Sequence, residues 1–293
     1  MRIQITNDDG IDSEGLQVLA RRLHSTEHDI VVVAPDRDWS GASAALGTLE
    51  AGAELRVSQV SIDGAPGLQC WALDGPPALT VVGARLGAFG DPPDLVISGI
   101  NAGLNTGRAV LHSGTVGAVL TAQNFGSSGL AVSVAASDPW HWDTAAELVV
   151  EVLPLLIGAP DRSALNLNVP ARPRDEVRGI RWGRLAPFGA MRAAMRSVGT
   201  DRVQFELTSS GYVPELDTDQ GAVNAGFASI TTLVGVTEAW ARPSERGADE
   251  LDGNDDGVAV ESHIVPGVAL HPVHRIPDGS APHSLRRPLL GDG

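Results

Sequence analysis

An α/β fold, built on a three-layer, doubly wound, mostly parallel Rossmann-like sheet with an antiparallel C-terminal arm, is predicted by three observations in the sequence. Short runs at Ile3 to Thr6, Ile30 to Ala34, Leu95 to Ser98 and Leu130 to Val134 are almost continuously apolar, the pattern of strands covered on both faces. Segments of helical spacing fall between them, the first carrying Leu16, Leu19, Ala20 and Leu23. Loops rich in Gly, Asn, Asp and Ser follow these strands, and in an open α/β sheet such loops gather at the carboxyl edge, where ligands bind.

The opening run Arg2-Ile3-Gln4-Ile5-Thr6 reads as a strand that ends in Asn7-Asp8-Asp9-Gly10. The helix through Leu23 and the strand Ile30 to Ala34 complete a βαβ unit. Weak alternation over Glu54 to Val60 and Leu68 to Leu73 marks residues 44–75 as an insertion, an antiparallel flap or hairpin beside the main sheet. A helical stretch from about Gly114 to Phe125 precedes Leu130 to Val134. Ala145, Leu148, Val149, Val152 and Leu156 then mark a helix that Asp143 or Thr144 can cap. Asn166-Leu167-Asn168-Val169 is a strand stopped by Pro170, which closes a core over 1–170.

Residues 171–242 hold short strand-like pieces at Gly179 to Gly183, Met191 to Val198, Arg202 to Leu207 and Phe227 to Val234. They predict an antiparallel arm of the same domain, suited to subunit contact. Residues 243–262 carry seven acidic side chains against one arginine, and 263–293 are rich in Pro, His and Gly, so 243–293 is predicted to be a disordered tail. Its His263, His271, His274 and His283 fit no metal-ligand spacing and read as solvated.

A formal net charge of −15 over 293 residues, with no lysine at all, argues against sequence-independent nucleic-acid binding. A phosphate-bearing substrate would need a local cation. The single Cys70 excludes an internal disulfide, no basic-then-apolar leader opens the chain, and no apolar window reaches the ~20 residues of a membrane span. These features predict a cytoplasmic protein with no nucleic-acid or membrane partner.

Two adjacent carboxylates at a strand's end repel one another unless a cation lies between them, and a hard divalent ion is the usual answer. Asp8, Asp9, Ser40 and Asn101, on three loops at one sheet edge, offer the carboxylate, hydroxyl and amide oxygens that such an ion accepts. Ser40 and Asn101 fit ordinary loop chemistry equally well. Ser113-Gly114-Thr115 opens a helix, so hydroxyls, free N–H groups and the helix dipole would together cradle an anion; the alternative is a plain N-cap serine. His112 reads either as a general acid or as a packed or solvated side chain, and Trp39 either as a base-stacking or as a structural residue.

Five strings occur in register: Thr6-Asn7-Asp8-Asp9-Gly10-Ile11; Val33-Ala34-Pro35-Asp36-Arg37-Asp38 with Ser40-Gly41-Ala42-Ser43; Leu73-Asp74-Gly75; Ser98-Gly99-Ile100-Asn101-Ala102-Gly103; and Ser113-Gly114-Thr115-Val116-Gly117-Ala118. Together they resemble the SurE family of survival-protein nucleotidases. Thr218-Asp219, Ala222-Val223 and Gly226-Phe227-Ala228-Ser229-Ile230-Thr231 resemble its closing segment. The resemblance implies a metal-dependent phosphatase of nucleoside 5′- and 3′-monophosphates. It implies one divalent cation per subunit, Mg²⁺ or Mn²⁺, on Asp8, Asp9, Ser40 and Asn101, and catalysis by Asp8 or Asp9. Asn101, Ser113, Gly114 and Thr115 would bind phosphate, and homodimers or homotetramers would exchange C-terminal arms.

The chain departs from the family pattern at Thr106-Gly107-Arg108-Ala109, where Leu-Gly and acidic residues are usual, at Ala44, and at Pro76-Pro77-Ala78. The first departure keeps open a non-catalytic nucleotide or anion sensor. Asp36-x-Asp38-x-Ser40 also resembles the nucleophile motif of haloacid-dehalogenase phosphatases, though no lysine is present to complete it, and the opening Asp cluster resembles that of nucleoside hydrolases. Free base rather than free phosphate would mark the last.

Overall fold

Apolar continuity decides the strands and amphipathic spacing the first helix. In a computed structural model that describes residues 1–47, 50, 52–187, 191–197, 203–209 and 211–237, Arg2–Thr6 (β1) is buried from Ile3 onward. Glu14–His24 (α1) buries Leu16, Leu19, Ala20 and Leu23, with Glu14 in its first turn and Arg21, Arg22 and His24 in its last, charges that complement its dipole. There follow Asp29–Pro35 (β2), Val57–Val60 (β3), Gln69–Leu73 (β4), Pro77–Arg85 (α2), Leu95–Ala102 (β5), Gly114–Asn124 (α3) and Ser128–Val134 (β6). The chain continues with Trp142–Ile157 (α4), Ala164–Val169 (β7), Ile180–Trp182 (β8), Met191–Ser197 (β9), Val203–Ser209 (β10), Asp219–Asn224 (α5) and Ala228–Leu233 (β11). The predicted tail at 243–293, with its four histidines, lies outside the described residues.

One nine-stranded sheet has the order β3-β4-β2-β1-β5-β6-β7-β11-β8. From β4 to β7 neighbouring strands are parallel, while β3 is antiparallel to β4, β11 to β7, and β8 runs parallel to β11. After β1 the chain adds β2 on one side and β5 on the other, so the topological switch point lies between β1 and β5, where an open sheet leaves a crevice. α1 and α4 bury Leu16, Leu19, Leu148 and Leu156 against Ile3, Ile97 and Leu130. α2 and α3 cover the opposite face, where Val81, Ala118 and Ala122 meet Val96. Each fully buried Leu or Ile contributes about 1.5–3 kcal/mol relative to exposure.

Several elements differ from the sequence expectation. The flap is not beside the sheet: β4 pairs with β2 in parallel and only β3 is antiparallel, because Cys70 to Leu73 holds enough apolar side chains to be covered on both faces. α2, absent from the periodicity, is apolar nearly all round; six of its nine residues are buried, and Pro77 opens it where an N–H has no partner to lose. The helix α4 starts earlier than Asp143, with His141 as N-cap, and the Thr144 hydroxyl donates to Arg172 C=O at 3.0 Å instead of capping. Of the four strands expected in an arm over 171–242, β8 and β11 extend the main sheet; β9 and β10 alone form a separate two-stranded antiparallel ribbon. No described helix is long and apolar enough to cross a membrane.

Candidate active site

Asn7 builds the turn that ends β1. Its Nδ2 donates to Gly10 C=O at 3.1 Å and to Ser13 Oγ at 2.7 Å, while its Oδ1 accepts from Gly10 N–H at 3.2 Å. Gly10 sits at φ +96°, and a Cβ there would stand 3.1 Å from the Arg37 carbonyl carbon. The loop after β2 can therefore close on this turn, with Trp39 N–H donating to Asp8 C=O at 2.7 Å and Ile11 N–H to Pro35 C=O at 2.8 Å.

The result is two adjacent carboxylates, one buried and one partly open, in the crevice. Asp8 is 3% exposed and Asp9 half-buried. Burial lifts Asp8 above the ordinary carboxylate range, opposed by a hydrogen bond from the Thr115 hydroxyl. Asp9 is pushed up to about 6, first by burial and then by the Asp8 charge; Ala102 N–H pulls the other way and Asp38 adds repulsion. Among the described residues no arginine or histidine forms an ion pair with either. Carboxylates so arranged call for a cation from outside the chain.

Across the switch point, β5 and the first turn of α3 complete the crevice. The Thr115 hydroxyl, fully buried, donates to Asp8 Oδ1 and lies 3.1 Å from Asn101 Oδ1. One proton cannot satisfy both acceptors, so Asn101 Oδ1 keeps lone-pair capacity while its Nδ2 is held by Gly103 C=O at 2.7 Å. Gly114 is required: a Cβ there would lie 2.6 Å from Asp8 Cβ and 2.7 Å from Asp8 Oδ2. Ser113 caps the 11-residue helix, its Oγ accepting from Val116 N–H at 3.1 Å.

The predicted site residues divide accordingly. Asp8, Asp9, Asn101, Gly114 and Thr115 are joined directly or through one neighbour. Ser40 is exposed; its hydroxyl and N–H both reach Asp38 Oδ1, at 2.6 and 2.7 Å, and Asp38 in turn bears on Asp9. The Thr115 hydroxyl faces carboxylate and amide, and the backbone N–H groups of Thr115 and Gly114 also hydrogen-bond to the Asp8 carboxylate, so the head of α3 already holds one anionic group of the chain itself. His112 is exposed at the end of the 3₁₀ turn Gly107–His112. The donor set is entirely oxygen, the chemistry of Mg²⁺ or Mn²⁺. Among the described residues no group of three or more His, Cys, Asp or Glu is placed to hold a metal, so a cation bound here would need Asn or Ser oxygens beside the two carboxylates.

A supporting shell escaped the sequence reasoning. Asn105 C=O accepts from Asn166 Nδ2 at 2.8 Å and Asn168 Nδ2 at 3.0 Å, its N–H donates to Asn168 Oδ1 at 2.9 Å, and its Nδ2 to Ser133 Oγ at 2.9 Å. The Thr106 hydroxyl donates to Gln220 Oε1 at 2.6 Å and Gly107 N–H to Asp219 Oδ2 at 2.7 Å. Fully buried Asp219 also accepts from Ala186 N–H at 2.9 Å and Gln220 N–H at 2.7 Å. Asparagines inside the apolar run of β7, and an acid heading α5, were the available signals. On the opposite side the rim is ionic: Arg37 pairs with Asp36 and Asp74, and Arg56 with Asp74, which the Arg56 and then Arg37 hydrogen bonds hold below the usual carboxylate range.

Comparison with known proteins agrees with this architecture. The family model described as Survival protein SurE matches residues 3–190. A 5′-nucleotidase SurE of Gloeobacter violaceus is 37% identical over 244 residues, covering 80% of this chain and 89% of that protein. A 5′/3′-nucleotidase SurE of Yersinia pseudotuberculosis is 37% identical over 238 residues, covering 80% of this chain and 89% of its own length. The crystal structure of the SurE protein from Aquifex aeolicus superposes with a TM-score of 0.67 at 28% identity, over 80% of this chain and 93% of that one. By matched length and identity together, this chain belongs to the SurE family.

Proposed function

We propose that this protein is a metal-dependent phosphomonoesterase that converts nucleoside 5′- and 3′-monophosphates to nucleoside and phosphate. The observation that carries the reading is the buried, uncompensated Asp8–Asp9 pair, linked through Thr115 to Asn101 and pressed against Gly114 at the head of α3. The names of the related nucleotidases support the same reaction class. Asp8, Asp9, Asn101 and Ser40 would hold one Mg²⁺ or Mn²⁺, which when bound polarises a phosphoryl oxygen and acidifies a water.

The chain's own groups supply the rest. Asp8 is fixed by the Thr115 hydroxyl and positions the site. Asp9, the more open carboxylate, takes the proton of the attacking water. The Ser113 hydroxyl and the positive end of α3 would hold the phosphoryl oxygens as charge develops, the Gly114 and Thr115 N–H groups being shared with the Asp8 carboxylate that they already bond. The ribbon β9–β10 is the segment that would exchange between protomers of a homodimer or homotetramer, and a cytoplasmic location suits the lone, buried Cys70.

The test is phosphate release from 5′- and 3′-monophosphates with Mg²⁺ or Mn²⁺, with and without chelator. Asp9→Asn lowers turnover roughly 10²–10⁴-fold with unchanged circular dichroism; full activity in chelator, or in that variant, overturns the assignment. The sensor alternative is favoured by the altered segment at Thr106 to Ala109, in which Thr106 and Gly107 are tied to Gln220 and Asp219. Nucleotide binding without phosphate release would favour the sensor.

A further inference from the structure

The loop that carries Ser40 also carries a planar pair whose geometry the phosphatase chemistry leaves unused. The Arg37 guanidinium lies over the Trp39 ring, with Cζ 4.7 Å from the ring centroid. Its Nη1 donates to two carboxylates, Asp36 at 3.1 Å and Asp74 at 2.7 Å, and Arg56 holds the other Asp74 oxygen at 2.6 Å. Trp39 is half-buried, its Nε1 enclosed, whereas 54% of the Arg37 side chain is open to solvent. One face of the guanidinium is therefore backed by indole while the side chain stays accessible.

The pair is anchored to the candidate active site. Trp39 N–H donates to Asp8 C=O at 2.7 Å, and the Arg37 backbone packs on Gly10 so closely that a Cβ there would be 3.1 Å away. β2 lies one strand spacing, about 4.8 Å, from β1, so a group whose phosphate sits at the head of α3 can extend sideways over this loop. We propose that Arg37 and Trp39 form a stacking platform for the nucleobase, which makes the site favour nucleotides over base-free phosphomonoesters.

Arginine planes and aromatic rings stack any base without reading its edge. A guanidinium already tethered over the ring by two carboxylates loses little freedom when a base settles on it. The platform thus gives preference for a nucleotide with little choice among bases.

This inference rests on the phosphomonoesterase assignment, and the experiment keeps the two apart. For the full chain, kcat/KM is measured for AMP and for ribose 5-phosphate, which carries the same ester without a base. In the double variant Arg37→Ala/Trp39→Ala the ratio of the two constants falls about tenfold or more, through the KM for AMP. Trp39→Phe, which keeps a ring under the guanidinium, retains most of the ratio. Asp74→Asn, which leaves both planes present and releases one clamp, lowers it about threefold and serves if the double variant does not fold. A ratio that stays constant across these variants removes the platform. If the unaltered protein hydrolyses neither substrate, the phosphatase assignment itself fails.

Discussion

The two sides of the crevice are held by different physics. On the β5, α3 and β7 side the polar groups are buried or half-buried and are held by hydrogen bonds from neutral donors: the Thr115 hydroxyl to Asp8, the amides of Asn166 and Asn168 to Asn105, and backbone N–H groups to Asp219. On the β2 and β4 side the groups are charged and exposed, and they are held by ion pairs among Asp36, Arg37, Arg56 and Asp74. Buried hydrogen bonds have no water to replace a lost partner, whereas exposed ion pairs do. One side is therefore built to fix the candidate site residues, and the other can change without endangering the fold.

Substitutions on the two sides sharpen this contrast. The largest effect is expected at Gly114. In Gly114→Ala the added methyl lands on Asp8, so the carboxylate or the helix must shift, and a misplacement on the order of 1 Å lowers turnover about 10²-fold; steady-state kinetics with AMP checks it, and wild-type rates would show that the crevice is not tight. Next is Asp219→Ala, which orphans the N–H groups of Gly107, Ala186 and Gln220 and destabilises the protein by about 3 kcal/mol, a fall in Tm of roughly 10 °C. A thermal melt that barely moves would mean water fills the gap and that this side is less dry than its hydrogen bonds imply. The smallest belongs to the ionic rim: Arg56→Ala leaves Tm within about 3 °C of the parent, and a larger fall would break the comparison.

Much of this was legible in the sequence because it is local. β1 with Asp8 and Asp9, the spacing of Leu16 to Leu23, and Ser113 before an apolar helix are each decided within a few residues by burial, periodicity and capping. α2 was not legible because a helix covered on both sides has no amphipathic signal. β8 and β11 read as strands, but which sheet they join depends on β11 pairing with β7, more than 50 residues earlier, and on β8 pairing with β11, and alternation carries no such information. The same limit hid the clamp from Gln220 to Thr106, 114 residues apart. The candidate ligand residues could be proposed from their chemistry; the hydrogen bonds around them could not, since that shell comes from distant segments.

The Asp219 clamp also orders events during synthesis. Its three N–H partners belong to residues 107, 186 and 220, so a nascent chain can complete the parallel strands through β7 while the segment leading into Ser113 still lacks its anchor. That segment settles only when α5 has emerged from the ribosome and docked. A partly made polypeptide therefore carries the parallel strands without the tie that anchors the loop before Ser113, and the candidate site is complete only close to the end of the folded region.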